Sequence, residues 1–354
     1  MKGFSQMEKP KIITMSHGSG GADSRSLIGE VFERAFSNPV LSQMEDAALL
    51  NGFSKLAFTT DSFVVQPLIF KGGDIGRLAV CGTVNDLLTR GARPRYLTAA
   101  FILEEGLDIS VLKLIVDSMA ETAREAGVDI VTGDTKVIEN KGIGGIIINT
   151  AGIGEIPGGI DISSKNIAEQ DACILTGTLG DHHACLLSKR MDIESEIASD
   201  AAPLVEIVER LTDSGIEIHA MRDVTRGGLG TVLNEMLDTA NGTRYSMGKE
   251  QDMLDLVIEQ DSLPISQATS DFCGLLGLDP IYMGNEGKMA IFVPDSKAEE
   301  ALHLIRGAKY GENAQVIGHT VPSKGHSARV CMRTSIGGLR TIRPLAGEGL
   351  PRIC

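Results

Sequence analysis

The sequence predicts a mixed α/β fold, of either the α/β or the α+β class, with two domains followed by an extended tail. Short apolar strands alternate with longer amphipathic helices from Leu56 onward, as in folds that pack helices on sheets. The 354 residues are 42% hydrophobic, which suffices for two cores at about 100–200 residues per domain. A glycine- and proline-rich passage at residues 152–159 separates two series of strands and helices and predicts the domain boundary.

The first series predicts four strands and two helices. In chain order they are a strand at 56–60, a helix at 74–90, a strand at 96–103, a helix at 110–126, and strands at 128–132 and 145–150. Apolar residues recur at helical spacing in both helices. Gly91 and Gly127 stand where a helix C-terminus favours left-handed backbone. Ser110 is the predicted N-cap of the second helix.

The second series again mixes strands and helices. In chain order they are a strand at 173–176, helices at 204–212 and 228–240, and strands at 289–293 and 316–318. After Pro322 the apolar residues no longer recur at helix or strand spacing, and Pro344 and Pro351 interrupt the chain. This pattern predicts a flexible extended tail. The predicted division is a leader with a glycine-rich loop at 1–44, an N-terminal domain at 45–158, a C-terminal domain at 159–322 and a tail at 323–354.

Charge and hydropathy exclude two classes of partner. With 33 basic and 47 acidic residues the formal net charge is −14, so the surface repels nucleic-acid phosphates and the anionic face of membranes. The start of the sequence has no apolar signal-peptide core, and no uncharged apolar run approaches the ~20 residues of a spanning helix. Six cysteines without a Cys-x-x-Cys pair are typical of a reducing compartment. We therefore expect a cytoplasmic protein that binds neither nucleic acid nor membranes.

Four acidic residues at strand-to-loop transitions form a candidate site for Mg²⁺ and a nucleotide. They are Asp46, Asp61, Asp86 and Asp134. Mg²⁺ takes oxygen ligands and bridges nucleotide phosphates. A single Asp in such a place is more often an Asx-turn or a helix cap, but four in one half of the chain favour a metal site. An ATP site here is not of the Walker type, because neither a Walker A nor a Gly-x-Gly-x-x-Gly pattern occurs.

Four other segments leave a structural and a functional interpretation open. The glycine-rich residues 16–21 wrap an anion or form a plain loop. The turn after Asp223 opens a helix that meets phosphate or is simply capped. Glu286, in an Asn-Glu-Gly-Lys segment, belongs to a polar loop or to an acid/base pair. The pair His182 and His183 lacks zinc-ligand spacing and is at least as well explained by loop hydrogen bonds.

Cys354, the last residue of the sequence, is a candidate carrier of a covalently bound group. It follows a tail punctuated by Pro and Gly, of which about fifteen extended residues reach ~50 Å. The adjacent α-carboxylate disfavours the thiolate, and Arg352 offsets this effect. The alternative interpretation is an incidental exposed thiol.

Eight motifs in a fixed order carry a resemblance to a known family. They are His17-Gly-Ser-Gly-Gly21, Glu45-Asp-Ala-Ala48, Thr60-Asp-Ser62, Asn85-Asp86, Ile102-Leu-Glu-Glu105, Thr132-Gly-Asp-Thr-Lys136, Asn285-Glu-Gly-Lys288 and Pro351-Arg-Ile-Cys354. Together they resemble the HypE family of hydrogenase maturation factors over almost the whole chain. The last motif is the most specific, because the related enzymes that make aminoimidazole ribonucleotide, selenophosphate or thiamine diphosphate share the Asp motifs without it.

The resemblance implies an architecture and a nucleotide site. It implies a homodimer whose N-terminal domains pair to form a barrel-like β core, with a C-terminal domain packed against it. ATP and Mg²⁺ are the implied cofactors. The implied nucleotide-binding residues are Asp46, Asp61, Asn85, Asp86, Thr132, Gly133 and Asp134, and the four aspartates among them are the implied metal ligands.

The resemblance also implies a reaction and its partners. A carbamoyltransferase, HypF, loads a carbamoyl group on Cys354, and ATP then drives its dehydration to a thiocyanate. Lys136 and Glu286 match positions beside the thiocarboxamide, where Glu286 takes a proton and Lys136 orients or polarises the group. The cyano group passes to iron held by a HypC–HypD complex, as a ligand of [NiFe]-hydrogenase. Two alternatives are phosphoryl transfer from ATP to a free metabolite and a thiol carrier without enzymatic activity.

Overall fold

Two mixed β-sheets with packed helices make up the chain, which confirms the predicted mixed α/β fold. The computed structural model describes residues 11–44, 47–323 and 329–346. The N-terminal strands are β1 (Leu56–Phe63), β2 (Ile69–Phe70), β3 (Gly73–Asp74), β4 (Arg93–Glu104), β5 (Asp129–Ile138) and β6 (Ile146–Glu155). The N-terminal helices are α1 (Ala22–Leu27), a π-helical segment (Ile28–Glu33), α2 (Arg34–Phe36), α3 (Ile75–Leu88) and α4 (Ile109–Ala126).

The N-terminal sheet has the strand order β1-β6-β4-β5, with β2 and β3 forming a separate two-stranded pair. Strands β4 and β5 are parallel and are joined by α4, whereas β6 pairs antiparallel with both β1 and β4. Helix α3 packs on β1, β6 and α4. The order leaves β1 and β5 at opposite edges of the sheet, and this separation matters for the site.

The C-terminal sheet has the order β13-β12-β9-β11-β7-β10-β8, in which β9 and β12 form the parallel pair. Its strands are β7 (Asp171–Leu175), β8 (Ala220–Asp223), β9 (Leu254–Glu259), β10 (Met289–Pro294), β11 (Gln315–Pro322), β12 (Val330–Arg333) and β13 (Leu339–Ile342). Its helices are α5 (Asp181–Arg190), α6 (Val205–Asp213), α7 (Gly228–Ser246), α8 (Gln267–Leu276) and α9 (Ala298–Arg306). Short 3₁₀ turns lie at Met15–Gly18, Leu41–Gln43, Ser164–Asn166, Glu250–Asp252, Gln260–Ser262, Pro280–Tyr282 and Asp295–Lys297.

The central strands of the C-terminal sheet are buried on both faces. Alternate residues of β7 and β10 enter two apolar clusters, one beneath α7 and one beneath α5, α6 and α9. The second cluster continues into the N-terminal half, where it includes residues of α3 and α4. The two halves of the chain therefore share one apolar core. In the part of the chain that the structure describes, no helix has the length and apolar character needed to cross a membrane.

Every predicted helix and strand has a counterpart, but the structure adds elements that were not predicted: β2, β3, β8, β9, β12, β13, α1, α2, α5, α8 and α9. Three further details differ from the sequence prediction. The N-cap of α4 is Asp108 and not Ser110, because the Asp108 carboxylate accepts from the Ser110 N–H at 2.7 Å. The glycine-rich passage at 152–159 begins inside β6, where Gly152 leaves no room for a Cβ, since that atom would lie 2.8 Å from the Thr83 methyl group of α3. The segment after Pro322, predicted as extended tail, contributes β12 and β13 to the C-terminal sheet.

The helix ends at two glycines follow the prediction. Gly127 has φ +68° at the C-cap of α4, and Gly91 has the same φ three residues after the end of α3.

Gly76→Ala is expected to destabilise the fold by about 1–3 kcal/mol. Gly76 lies in the first turn of α3 against α4, and a Cβ there would lie 2.3 Å from the Ile115 carbonyl oxygen. Urea unfolding followed by circular dichroism measures the effect, since the chain has no Trp. The matched control is Gly242→Ala in α7, where a Cβ meets nothing within 4 Å and the helix gains about 0.5–1 kcal/mol. Equal effects of the two substitutions would contradict the close-packing argument.

Candidate active site

A cleft of about 880 Å³ opens between the two halves of the chain. Strand β1 and helix α3 line it from the N-terminal half, and the segment from β8 into α7 lines it from the C-terminal half. Glu286, which precedes β10, also lines the cleft. The cleft therefore exists only while the two halves are docked.

Two of the predicted aspartates meet in this cleft. Asp61 on β1 shares a strand face with Thr59, whose hydroxyl donates to Asp86 on α3 at 2.8 Å. Burial raises the pKa of Asp86, and the negative charge of Asp61 adds to this rise. Gly82 of α3 permits the close approach of β1, because a Cβ there would lie 2.7 Å from the Phe63 ring. Asp61 and Asp86 are therefore close in the structure although they are far apart in the sequence.

Asp223 and Glu286 add two more carboxylates from the C-terminal half. Both line the same cleft as Asp61 and Asp86. Burial raises the pKa of Asp223 to about 6, and the Asp86 carboxylate contributes to the rise. Burial is also the main cause that raises the pKa of Glu286 well above its ordinary value. The negative charges of Asp200 and Asp223 raise this pKa further. Asp223 was not among the predicted site residues, although the sequence analysis left open that its turn meets phosphate.

Asp223→Asn is expected to stabilise the protein more at about pH 7.5 than at about pH 5. A carboxyl whose pKa is higher in the folded than in the unfolded chain favours folding while it is protonated. That contribution is lost as pH rises through the folded pKa of about 6. Asparagine does not titrate, so the variant avoids the cost of a buried charge near neutral pH. Its free energy of unfolding there should rise by an amount on the order of 1–3 kcal/mol. Thermal melts at the two pH values test this, with the exposed Asp161→Asn as control; a gain independent of pH would contradict it.

Asn85, predicted to bind the nucleotide, is buried and bonded to the protein. Its Nδ2 donates to the carbonyl oxygens of Ala202 at 3.0 Å and Glu286 at 3.4 Å, and its Oδ1 accepts from the Leu204 N–H at 2.9 Å. All three contacts join α3 to the backbone of the C-terminal half. Its neighbour Asp86 faces the cleft instead. The two residues of the Asn85-Asp86 motif therefore have different environments, one at the contact with the C-terminal half and one in the cleft.

Four more predicted residues lie in a second cavity of about 360 Å³. Thr132, Gly133, Asp134 and Lys136 of β5 line it, together with the glycine-rich loop that includes His17. Lys136 Nζ lies 3.5 Å from an Asp134 carboxylate oxygen, and both side chains are mostly exposed. Within one chain Lys136 and Glu286 therefore line different cavities. The strand order explains this separation, because β1 lines the cleft, β5 lines the second cavity, and the two strands lie at opposite edges of the N-terminal sheet.

Two of the four aspartates predicted to bind Mg²⁺, Asp61 and Asp86, line the cleft. Asp46 lies outside the described residues. Within the described ranges, no three or more His, Cys, Asp or Glu side chains are grouped closely enough to hold a metal ion. Mg²⁺ bound with a nucleotide needs only one or two carboxylates in addition to phosphate oxygens. The oxygen donors of Asp61 and Asp86 fit that requirement.

Cys354 also lies outside the described residues, but the segment that leads toward it is fixed next to the cleft. The Leu345 N–H donates to the Thr231 hydroxyl of α7 at 3.1 Å, and the Tyr282 hydroxyl donates to the Arg343 carbonyl at 2.9 Å. Helix α7 also lines the cleft. The described residues after β13 are therefore held against α7, one of the helices that line the cleft.

Comparison with known proteins gives consistent matches along the chain. Residues 44–156 match the N-terminal domain model of AIR synthase related proteins, and residues 168–331 match the C-terminal domain model. The carbamoyl dehydratase HypE of Rhodobacter capsulatus is 44% identical over 347 residues, covering 97% of this chain and 98% of that protein.

Solved structures match equally well. A crystal structure of the hydrogenase maturation protein HypE in complex with ATP has a TM-score of 0.89 and 42% identity, covering 96% of this chain and 99% of that one. A HypE–HypF complex matches with a TM-score of 0.76 and 42% identity over 90% of this chain and 100% of that one.

Proposed function

Because this chain belongs to the HypE carbamoyl dehydratase family, as the sequence motifs predicted, we propose that it uses ATP to dehydrate an S-carbamoyl group on Cys354 to a thiocyanate. The observation that carries this proposal is the cleft in which Glu286 and three aspartates converge. A HypE of known structure binds ATP. The cleft has the size of a nucleotide-binding pocket.

The proposed reaction converts R–S–C(=O)–NH₂ and ATP into R–S–C≡N, ADP and phosphate. The carbonyl oxygen takes the γ-phosphoryl group, which turns a poor leaving group into phosphate. The carbon–oxygen bond then breaks, a carbon–nitrogen triple bond forms, and both N–H protons leave. At least one group in the cleft must accept a proton from nitrogen while charge develops on the phosphoryl oxygens.

Glu286 is the proposed proton acceptor. Its raised pKa makes it a stronger base than an exposed carboxylate, closer to the value that suits proton transfer near neutral pH. No hydrogen bond or ion pair occupies its side chain among the described residues. Its carboxylate is therefore available to substrate.

Asp61 and Asp86 are the proposed holders of the nucleotide through Mg²⁺, which would neutralise charge on the phosphates. Three arginines that line the same cleft supply positive charge despite the acidic composition of the chain: Arg90, Arg222 and Arg226. Arg222 is paired with Glu235 at 2.7 Å, whereas Arg226 is exposed and lies close enough to lower the pKa of Glu286. This mixture of charges suits a magnesium–triphosphate complex better than a free anion.

The length of chain beyond Ala346 supports delivery of Cys354 to this cleft. Eight residues span at most roughly 29 Å when fully extended. The anchor of Leu345 on α7, which also lines the cleft, keeps the start of this segment nearby. This is shorter than the reach of ~50 Å expected from the sequence, because β12 and β13 fix part of the predicted tail.

Lys136 requires a second copy of the chain to act in the same reaction. We propose a homodimer in which the β5 edge of one copy completes the cleft beside β1 of the other. The β1 edge supports this, because Phe58 and Leu56 are 66% and 50% exposed. An apolar edge strand of this kind is normally covered. The β5 residues Thr132, Gly133 and Asp134 would then contribute to the nucleotide site from the second copy.

The proposed partners act before and after the dehydration. HypF would load the carbamoyl group, and the HypE–HypF complex of a relative supports this pairing. A HypC–HypD complex would receive the cyano group on iron for [NiFe]-hydrogenase. We further propose a cytoplasmic location, since the five cysteines in the described residues are all unpaired.

Mass spectrometry of the peptide 349–354 tests the proposed function. The protein is carbamoylated with cyanate, incubated with Mg-ATP and cleaved after Glu348. Loss of one water from the Cys354 peptide with ATP, and not with ADP, is the expected result. A peptide that stays carbamoylated in protein shown to bind ATP would overturn the proposal and favour a free small-molecule substrate.

A further inference from the structure

A buried ion pair lies directly behind Glu286. The Glu286 N–H donates to Asp200 Oδ1 at 3.0 Å, and Lys288 Nζ lies 3.3 Å from Asp200 Oδ2. The side chains of Asp200 and Lys288 are only 5% and 9% exposed. The pair opens on a separate cavity of about 430 Å³, away from the cleft that holds the Glu286 carboxylate. Asp200 therefore contacts the backbone of Glu286 without occupying its side chain.

The backbone around Glu286 is held on both sides. Lys288 Nζ donates to the Gly287 carbonyl at 3.2 Å, and the Glu286 carbonyl accepts from the Ala202 N–H at 3.4 Å. Gly287 permits this packing, because a Cβ there would lie 2.0 Å from the Asp200 carbonyl oxygen. The segment that follows Asp200 thus determines where the Glu286 backbone lies.

Packing also fixes the lysine. A Cβ at Gly177, in the turn after β7, would lie 2.9 Å from Lys288 Cε, so the lysine side chain packs closely against this turn. Burying an ion pair contributes little to stability compared with apolar residues of the same size. A buried pair placed against the backbone of a base is better explained by control of that base.

We propose that Asp200, held by Lys288, is a positioning residue that fixes the backbone of Glu286 and places a negative charge behind its carboxylate. This inference rests on the proposed function, in which Glu286 accepts a proton from substrate. Asp200 does not line the cleft and does not touch substrate. Its effect passes through Glu286 alone.

Several charged or titratable groups face Glu286 from the surrounding elements. They are Asp61 from β1, Asp86 from α3, His182 from α5, Asp223 and Arg226 from the β8–α7 segment, and Asp200 with Lys288 from behind. Burial raises the pKa of Glu286 most, and Asp200 is the largest contributor among the charges. Removal of the Asp200 charge should therefore lower the pKa of Glu286, whereas neutralising a carboxylate outside this set should not.

Asp200→Asn and Asp200→Ala separate the two parts of this role. The asparagine keeps an acceptor for the Glu286 N–H but loses the charge, and the alanine loses both. We expect the pKa of Glu286 to fall by at least about half a unit in Asp200→Asn. Carboxyl ¹³C NMR of the full chain, without nucleotide or Mg²⁺, measures this pKa, and Glu286→Gln assigns the resonance. The acid limb of the dehydration rate should move to lower pH by a similar amount, with KM for ATP unchanged.

Asp200→Ala should in addition lower kcat by about 10-fold or more, because the Glu286 backbone loses its anchor. The double variant Asp200→Asn with Lys288→Met guards against misfolding, since it leaves no stranded buried charge. Its Glu286 pKa should lie between those of the wild type and Asp200→Asn. Asp213→Asn, which removes an exposed partner of Arg93, is the control and should change neither quantity.

The outcomes distinguish this inference from the proposed function. If wild-type protein shows no ATP-dependent water loss, the proposed function fails, and the NMR titration still decides whether Asp200 controls the charge of Glu286. If wild type is active but the Asp200 variants keep the wild-type Glu286 pKa and acid limb, the positioning role is wrong. Lower thermal stability with unchanged titration would likewise show that Asp200 is only structural.

Discussion

Glu286→Gln is expected to slow ATP-dependent water loss from carbamoylated Cys354 by about 10²–10⁴-fold, the range that general-base catalysis supplies. Glutamine keeps the size and polarity of the side chain but cannot accept the N–H proton. ATP affinity should change little, because the aspartates of β1 and α3, rather than Glu286, are the proposed contacts to the nucleotide. Single-turnover kinetics on the 349–354 peptide measure the rate, and equilibrium dialysis with labelled ATP measures the affinity.

Glu286→Gln should also change the thermal stability of the protein. Three carboxylates face Glu286 in the cleft, so the neutral glutamine should raise the melting temperature while it removes activity. Glu299→Gln at the exposed start of α9 is the matched control and should leave rate and stability unchanged. Retention of most of the wild-type rate in Glu286→Gln would assign the proton to another acceptor.

Cys354→Ala is expected to abolish formation of thiocyanate while ATP binding is retained. The thiol is the proposed site of attachment, so no other residue can replace it, and the described cysteines are poor substitutes. Burial raises the pKa of the thiols of Cys81 and Cys173, and raises that of Cys273 to about 11. The control is Cys331→Ala on β12, whose side chain is partly exposed.

The Cys354 variant also separates the competing functions. ATP turnover coupled to a free small molecule should survive the substitution if the chain is a phosphotransferase of the metabolite type. A thiol carrier without enzymatic activity predicts that wild type and variant consume no ATP at all. Only the proposed reaction predicts ATP-dependent chemistry that needs Cys354.

The sequence does not show which of the predicted site residues lie together. Asp61 and Asp86 are 25 positions apart, and the docking of α3 on β1 brings them together. Lys136 and Glu286 were expected beside one substrate, yet the strand order assigns them to different cavities of the chain. Strand order depends on long-range pairing, which local periodicity does not encode.

Local signals identified the eleven helices and strands that were predicted, but they missed as many others. Glycines at 127 and 91 mark helix ends because their left-handed backbone is a local property. Gly152 has a different cause, the close approach of α3 to β6, which no local pattern in the sequence shows. The strands β12 and β13 were missed because Val330 and Ile342 are buried by tertiary contacts, in the apolar cluster beneath α7, which the local sequence does not show.

Helix α3 shows how closely folding and chemistry are joined in this chain. Twelve of its fourteen residues are buried, and it carries Asp86 into the cleft while Asn85 bonds to the opposite half. A mutation at almost any position of this helix should therefore change both the stability of the fold and the geometry of the cleft. Adaptive change of substrate or nucleotide preference should therefore arise elsewhere in evolution, on the more exposed walls of the cleft around Arg222 and Arg226, while α3 drifts slowly.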